Sequence, residues 1–370
     1  MAEFDLAVVG GGIVGLAHAL AAARKGLRVV VFERDSRANG ASIRNFGFVT
    51  VTGQQAGDSW RRAKRSRDVW AEIAPQAGIH IEHSGLVLTA RRPEAAAVLE
   101  AFAKSETGKG CAILSEDRAR DRFPFLQGRF LAALWSPHDL RVESKRAIPL
   151  LAAYLEREHN VAFQWSTAVL EVAPPEIVTS RGKVRADAIV VATGDALNAL
   201  YAKRLQTYAL SRCKLQMLRV RSPGGGLPCS VQSDLSLVRY LGYSELAEAA
   251  AIRARLKAEQ PEFLDNGIHL IAVGSSDGSR VVGDSHHYED TPDPFSSEAV
   301  DELILAEYSA VFCERPQVIE RWSGTDSRAA DRPMLRDAPE ERVRIVVVTS
   351  GKGASTAFAI AEETIGELFP

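Results

Sequence analysis

Residues 4–33 read FDLAVVGGGIVGLAHALAAARKGLRVVVFE, and this stretch decides the fold. Phe4–Val9 is a short apolar run of strand length. Gly10, Gly11 and Gly12 interrupt it. Ile13–Lys25 then sets Leu16, Ala17, Leu20 and Ala21 at helical spacing, and Gly26 stops the helix. Leu27–Phe32 is a second apolar run, closed by Glu33. The order strand, glycine turn, helix, strand is one βαβ unit with a parallel sheet. Gly10-x-Gly12-x-x-Gly15 allows a tight turn and a close backbone approach to a pyrophosphate, which the helix N-terminus attracts. A carboxylate at Glu33 suits the hydroxyls of an adenosine ribose and repels a 2′-phosphate, which argues against NADP. Arg34 reads as a solvated surface charge rather than a 2′-phosphate ligand.

Outward from this unit the rhythm changes. Residues 36–60 read as a long irregular loop rich in Gly, Ser, Asn and Thr, a length that usually signals function. Helices are expected at Arg61–Ala74, Pro93–Ser105 and Glu143–Glu158. Val161–Trp165, Ala168–Val172, Glu176–Thr179 and Lys183–Arg185 read as short strands returning to the apolar strand Ala188–Ala192. A second irregular block, roughly Leu210–Trp322, carries expected strands at Cys213–Val220, Leu235–Leu241, His269–Gly274 and Arg280–Gly283, with helices near Ser244–Ala258 and Ser297–Phe312. Val343–Thr349 reads as a final strand, followed by Gly351, Gly353 and a helix to Leu368. The expected class is α/β (α+β overall): a Rossmann-like dinucleotide-binding domain with an inserted strand-rich antiparallel substrate domain. Residues 1–60, 144–210 and 323–370 are assigned to the former, 61–143 and 211–322 to the latter.

The chain has 370 residues, 46% hydrophobic and 25% charged, which excludes a disordered polymer. Its 45 Lys+Arg against 47 Asp+Glu give a net charge of −2, with no basic excess for nucleic acid or anionic membrane. No apolar run spans a bilayer and no leader pattern opens the chain, so a cytoplasmic location is expected. Cys111, Cys213, Cys229 and Cys313 are far apart, which reads as buried thiols in a reducing compartment.

Ala188–Ala192 runs into Thr193-Gly194, and the chain then leaves for its second insertion. A simple nicotinamide enzyme would continue in regular βαβ units, so FAD is favoured over NAD. With Ala41-Ser42-Ile43-Arg44-Asn45-Phe46-Gly47, Trp135-Ser136-Pro137-His138-Asp139, Trp322-Ser323-Gly324 and Thr349-Ser350-Gly351-Lys352-Gly353-Ala354-Ser355, these segments resemble the D-amino acid oxidase (DAO) family of FAD-dependent oxidoreductases, near glycine and sarcosine oxidases. The resemblance implies FAD contacts from Gly10, Gly12, Ile13, Val14, Gly15, Glu33, Arg34, Ser42, Arg44 and Asn45. It implies further contacts from Val169 through its backbone, Thr193, Gly194 and the run Gly351, Lys352, Gly353, Ala354, Ser355 and Thr356. The early loop has no His or Cys and the late Cys313 reads as a core thiol, so non-covalent FAD is expected. The His-Gly-Gly-His run of many relatives is absent at Gly351-Lys352-Gly353.

The implied reaction is oxidative deamination of a small amine: hydride to flavin N5, hydrolysis of the imine to an aldehyde, and peroxide from oxygen, unless another acceptor takes the electrons. Gly283-Asp284-Ser285-His286-His287-Tyr288 beside the Gly351–Thr356 run resembles a branch associated with phosphonate breakdown. That implies a small anionic amine such as 2-aminoethylphosphonate or its N-methyl derivative, with glycine, sarcosine or D-amino acids as alternatives. Lys352, His286 and Tyr240 are the candidate catalytic groups; Asn45, Tyr240, His286, His287, Trp322 and Lys352 the candidate substrate contacts. Arg239 and Tyr240 are read as ending a strand. A metal is not expected, because adjacent histidines need further converging ligands and none is evident.

Overall fold

A computed structural model describes residues 3–370. Two sheets carry the chain. In the first, the order is Met334–Glu340, Val343–Val348, Gly182–Val191, Phe4–Val9, Val29–Phe32 and Ala162–Gln164. All neighbours are parallel except the outermost Met334–Glu340. A parallel sheet covered on both faces needs strands that are apolar throughout. Val29–Phe32 is buried at every position, and so are the last four residues of both Phe4–Val9 and Gly182–Val191.

The helices Ile13–Arg24 and Gly353–Leu368 pack on one face through Leu16, Leu20, Phe358 and Ile365. The other face buries Ile189, Val191, Leu200 and Ile345. The antiparallel meander Val169–Ala173 and Glu176–Thr179 leads into Gly182–Val191, a single continuous strand where a short strand and a separate apolar strand were expected.

The second sheet is mainly antiparallel and has ten strands. Its spine runs through Ser211–Arg221, Ser279–Gly283, Ile271–Gly274, Ser230–Gln232, Ile81–Ala90 and Ala132–Val142. Gln317–Arg328 pairs along the whole of Ser211–Arg221 and crosses position 322 into the segment leading back to the first sheet. Phe48–Val49, inside the early loop, joins the second sheet against Ala132–Val142. Asp139 explains the Trp135–Asp139 motif: its Oδ1 accepts the backbone N–H groups of Val51 (2.8 Å) and Thr52 (3.0 Å), tying the early loop to the sheet.

Three expectations are corrected. Leu235–Leu241 is not a strand but a 3-10 turn, Asp234–Val238, followed by a helical turn, Leu241–Ser244. Buried Leu235 and Leu237 alternate as in a strand, but Asp234 is buried and held by Arg91 and Arg92 (3.4 and 2.9 Å), which starts a turn. Arg239 and Tyr240 therefore sit in a bend, not at a strand end. The loop at 36–60 is partly ordered, with a helical turn at Ala41–Arg44 and the long helix beginning at Asp58. Cys313 is exposed rather than in the core, at the left-handed residue that closes helix Glu298–Phe312. Among the described residues no helix is long and apolar enough to cross a membrane.

Candidate active site

The glycine turn forms because three positions have no room for a side chain. A Cβ on Gly15 would lie 1.9 Å from the Gly10 carbonyl oxygen, and one on Gly10 would lie 2.4 Å from that of Ala192. Gly10 also has a φ of +114°, which L-residues rarely adopt. Gly12 abuts Ser42 Oγ, which accepts the N–H of Ile13 at 2.9 Å and so ties the early loop to the helix N-terminus. Glu33 closes the second strand, and its carboxylate accepts the N–H groups of Gly11 (2.8 Å) and Asp35 (3.0 Å).

Above this turn lies a cavity of about 470 Å³. Gly10, Gly12, Ile13, Val14, Glu33, Arg34, Ser42, Arg44, Asn45, Val169, Thr193, Gly194, Gly351, Gly353 and Ala354 all line it. Arg34 is on the exposed rim. Gly15 lies outside the lining and acts through the turn. Thr356 is also outside it; its Oγ1 donates to the Lys352 carbonyl at 3.0 Å. Ser355 Oγ accepts the Thr50 N–H (2.8 Å), and the Trp70 indole donates to the Ala354 carbonyl (2.9 Å). The first turn of the last helix is thereby tied to the rest of the cavity wall.

A second cavity of about 620 Å³ adjoins the first. Asn45, Asp326 and Gly351 line both, so the junction lies between them. Lys352, Tyr240, His286, Arg239, Arg328, His269 and Asp284 line the second cavity. Lys352 Nζ stands 5.3 Å from the centre of the Tyr240 ring. Burial, helped by Arg328 and Arg239, lowers its pKa to about 8. Arg239 donates to Tyr288 Oη at 2.7 Å, and the Arg328 guanidinium lies 5.7 Å from the same ring. Among the described residues, no carboxylate forms an ion pair with Lys352, Arg239 or Arg328. Asp326 has the opposite shift: burial and the nearby Asp284 charge push its carboxyl up to about 7. Burial likewise raises the Tyr240 phenol and lowers the imidazoles of His269 and His286.

The structure thus gathers Asn45, Tyr240, His286 and Lys352 around one cavity. It does not bring His287 or Trp322 there. His287 opens the short strand His287–Glu289, and its Nε2 meets Asn266 Oδ1 at 3.0 Å. The Trp322 indole N–H donates to the Arg44 carbonyl at 2.8 Å and braces the early loop from behind. Asp326, Arg328 and His269 were missed. Asp326 and Arg328 lie in Gln317–Arg328, whose sequence QVIERWSGTDSR has no apolar alternation to mark a strand. Of the adjacent histidines only His286 meets further candidate ligands: His269, Asp284 and His286 offer ligand atoms within 4.8 Å of one another.

A parallel sheet, a glycine turn at its switch point and a cavity running from Glu33 to Gly351 define a dinucleotide-binding fold. The model of the DAO family, FAD dependent oxidoreductase, matches residues 5–366, and the chain belongs to this family. It is an FAD-dependent oxidoreductase. The fold is similar to that of glycine oxidase from Geobacillus kaustophilus, with a TM-score of 0.79 at 21% identity over 99% of this chain and 94% of that one. It is similar to L-proline dehydrogenase from P. horikoshii (0.77 at 18%, covering 98% and 92%). FAD-bound L-alpha-glycerophosphate oxidase from Mycoplasma pneumoniae aligns with a TM-score of 0.78 at 14%, covering 100% and 95%. Among curated protein sequences none matches.

The first cavity fits FAD in its own terms. Its floor is backbone where a Cβ would collide with backbone, a carboxylate stands at one end, and the start of the last helix stands at the other.

Proposed function

We propose that the protein oxidises a small anionic amine, with FAD lying non-covalently in the first cavity and the substrate in the second. Three cations without ion-pair partners on one cavity wall carry this reading. Lys352, Arg239 and Arg328 repel one another; Glu245, Asp284 and Asp326 share the lining and offset part of that repulsion, but none pairs with the three directly, so a bound anion relieves the rest. A phosphonate, able to hold two negative charges, suits three cations better than one carboxylate does. This favours 2-aminoethylphosphonate or its N-methyl derivative over glycine, sarcosine or a D-amino acid.

When bound, FAD supplies the two-electron acceptor for the carbon–hydrogen bond beside the amine. The chain's own residues do the rest. Lys352 and the two arginines hold the anionic end, which turns the amine end toward the junction at Asn45, Gly351 and Asp326. Asp326 is the carboxylate present where both cavities meet, and with its pKa near 7 it accepts the proton of the substrate ammonium. The substrate loses two electrons and two protons, and water converts the resulting imine to an aldehyde and ammonia, or methylamine from the N-methyl compound. With oxygen as the final acceptor the reaction would release hydrogen peroxide; a different acceptor would leave none.

An anaerobic screen tests the reading. The flavin colour should bleach with 2-aminoethylphosphonate or its N-methyl derivative, and more slowly with glycine, sarcosine and D-alanine. If only neutral amines bleach it, the anionic assignment is wrong. One equivalent of peroxide per turnover in air marks an oxidase; none marks a dehydrogenase. Acid precipitation should leave the yellow colour in the supernatant, since residues 36–60 hold neither His nor Cys. Colour on the pellet would mean a covalent link.

A further inference from the structure

The wall of the second cavity holds a cluster that takes no part in the chemistry above. His269 and Asp284 face each other across two paired segments. The Asp284 N–H donates to the His269 carbonyl (3.1 Å) and the His269 N–H to the Asp284 carbonyl (3.4 Å). These bonds lie just beyond the ladder in which Ile271 lies opposite Gly283, with the register shifted by one residue. The His286 N–H donates to the Asn266 carbonyl at 3.0 Å. Gly267, at φ +58°, lets His286 lie against the backbone; a Cβ there would sit 2.9 Å from the His286 Cβ. The three side chains are placed by backbone pairing rather than by a mobile loop.

Their outer contacts decide what faces inward. His286 Nδ1 lies 3.0 Å from the Gly267 carbonyl oxygen. A carbonyl only accepts, so Nδ1 carries the hydrogen and Nε2 of the neutral ring presents a lone pair. That Nε2 points at Asp284 Oδ2 from 3.6 Å. Asp284 Oδ1 is buried with His269 Nε2 3.1 Å away, a close contact that is poorly aligned for a hydrogen bond. His269 Nδ1 is in turn held by Ser236 Oγ at 3.5 Å. The two rings stack with centroids 5.3 Å apart. Two imidazoles and a carboxylate therefore converge, and the buried carboxylate oxygen among them lacks a well-aligned donor. Leaving such an oxygen without a partner is costly.

We propose that His269, Asp284 and His286 bind a first-row divalent transition-metal cation, of the zinc, iron(II) or cobalt(II) class. Two nitrogens and one carboxylate oxygen favour these ions over calcium or magnesium, which prefer oxygen ligands throughout. Metal-binding histidines characteristically hand their other ring nitrogen to a carbonyl or a hydroxyl, as both do here. All three residues line the cavity, so the remaining coordination positions open toward it. An oxygen of an anionic substrate or a water fills them. The site is independent of the flavin: its ligands lie outside the first cavity lining.

The test uses FAD-loaded enzyme stripped with EDTA, desalted and titrated calorimetrically with zinc chloride. Cobalt(II) is added in parallel to dithionite-reduced enzyme, where its visible ligand-field bands are not hidden by oxidised flavin. One equivalent of zinc should bind per chain, and cobalt should give intense bands of low-coordinate geometry. Asp284→Asn and His286→Gln should each weaken zinc binding by roughly 100-fold, the upper end of what even outer contacts to a metal ligand contribute. His287→Gln, whose ring is turned away to Asn266, should bind zinc as the parent does. Flavin absorbance and melting temperature establish that each variant is folded. Should both ligand variants fail to fold, the parent's stoichiometry and cobalt bands decide alone. No saturable binding of zinc or cobalt to the parent overturns the proposal, as does unchanged zinc binding in both folded ligand variants. Methylammonium binding to the stripped enzyme, lost in Asp284→Asn while zinc never binds, also overturns it and makes the cluster an amine pocket. Flavin content is read separately, so a negative metal result leaves the flavoenzyme reading untouched.

Discussion

Lys352→Met should lower kcat/KM for an anionic amine roughly 10- to 150-fold, the equivalent of a charge-assisted hydrogen bond of about 1.5–3 kcal/mol. Methionine keeps the volume of the side chain and removes its charge. A neutral amine of similar size should lose little. Lys352 Nζ faces the Tyr240 ring in the second cavity and lies near Arg328 and Arg239, with no carboxylate paired to it among the described residues. Its lowered pKa adds a pH signature. An ammonium that titrates at about 8 loses its charge as pH rises through that value, so kcat/KM for the anionic amine should fall above about pH 8. Asp326 must be ionised to take a proton, and its carboxyl titrates at about 7, so the profile should rise through pH 7. In Lys352→Met the alkaline fall should disappear while the acid limb stays. Normal anaerobic bleaching combined with slow reoxidation would instead assign Lys352 to oxygen. If both half-reactions keep their parental rates, Lys352 anchors nothing.

Gly15→Ala should empty the first cavity of flavin. A single methyl placed 1.9 Å from the Gly10 carbonyl oxygen has no flexible neighbour to yield, so the helix must move away from the strand. Overpacking of this kind costs about 3 kcal/mol at the upper end of its usual range, which is on the order of 150-fold in FAD affinity when it falls on the binding turn. The purified variant should be pale, with a lower ratio of flavin to protein absorbance. Gly366→Ala is the control. It sits in the last helix with nothing within 4 Å of its added Cβ. It should keep its colour and melt slightly higher, because alanine favours helix over glycine by up to about 1 kcal/mol. A yellow Gly15→Ala protein with parental FAD affinity would show that the turn tolerates the methyl and that the close approach is not what holds the cofactor.

How much was legible beforehand depended on whether a feature was local. The first βαβ unit was readable because strand, turn and helix each announce themselves within a few residues: apolar runs, three glycines, helical spacing. Glu33 followed from its place at the strand end. The first cavity's lining at Ser42, Arg44, Asn45, Val169, Gly351, Gly353 and Ala354 came from resemblance to a family, since no local rule assigns a loop residue to a distant turn. Leu235 and Leu237 misled because an alternation of two apolar residues is common to a strand and a 3-10 turn, and the buried Asp234 that decides between them is held by Arg91 and Arg92, far away in the chain.

By itself the sequence determined that this chain builds a parallel sheet with a dinucleotide turn, because both depend on side-chain size and spacing within one segment. Only the tertiary structure decided what surrounds the reacting end. Asp326 and Arg328 belong to a polar strand that gains its place by pairing with Ser211–Arg221. His269 and Asp284 meet through paired backbone hydrogen bonds just past the ends of two neighbouring strands. His286 and His287 are neighbours in sequence, yet one lines the cavity and the other turns to Asn266. Charge, pKa and ligand geometry at a site are sums over groups from distant segments, and their distances exist only once the chain has folded.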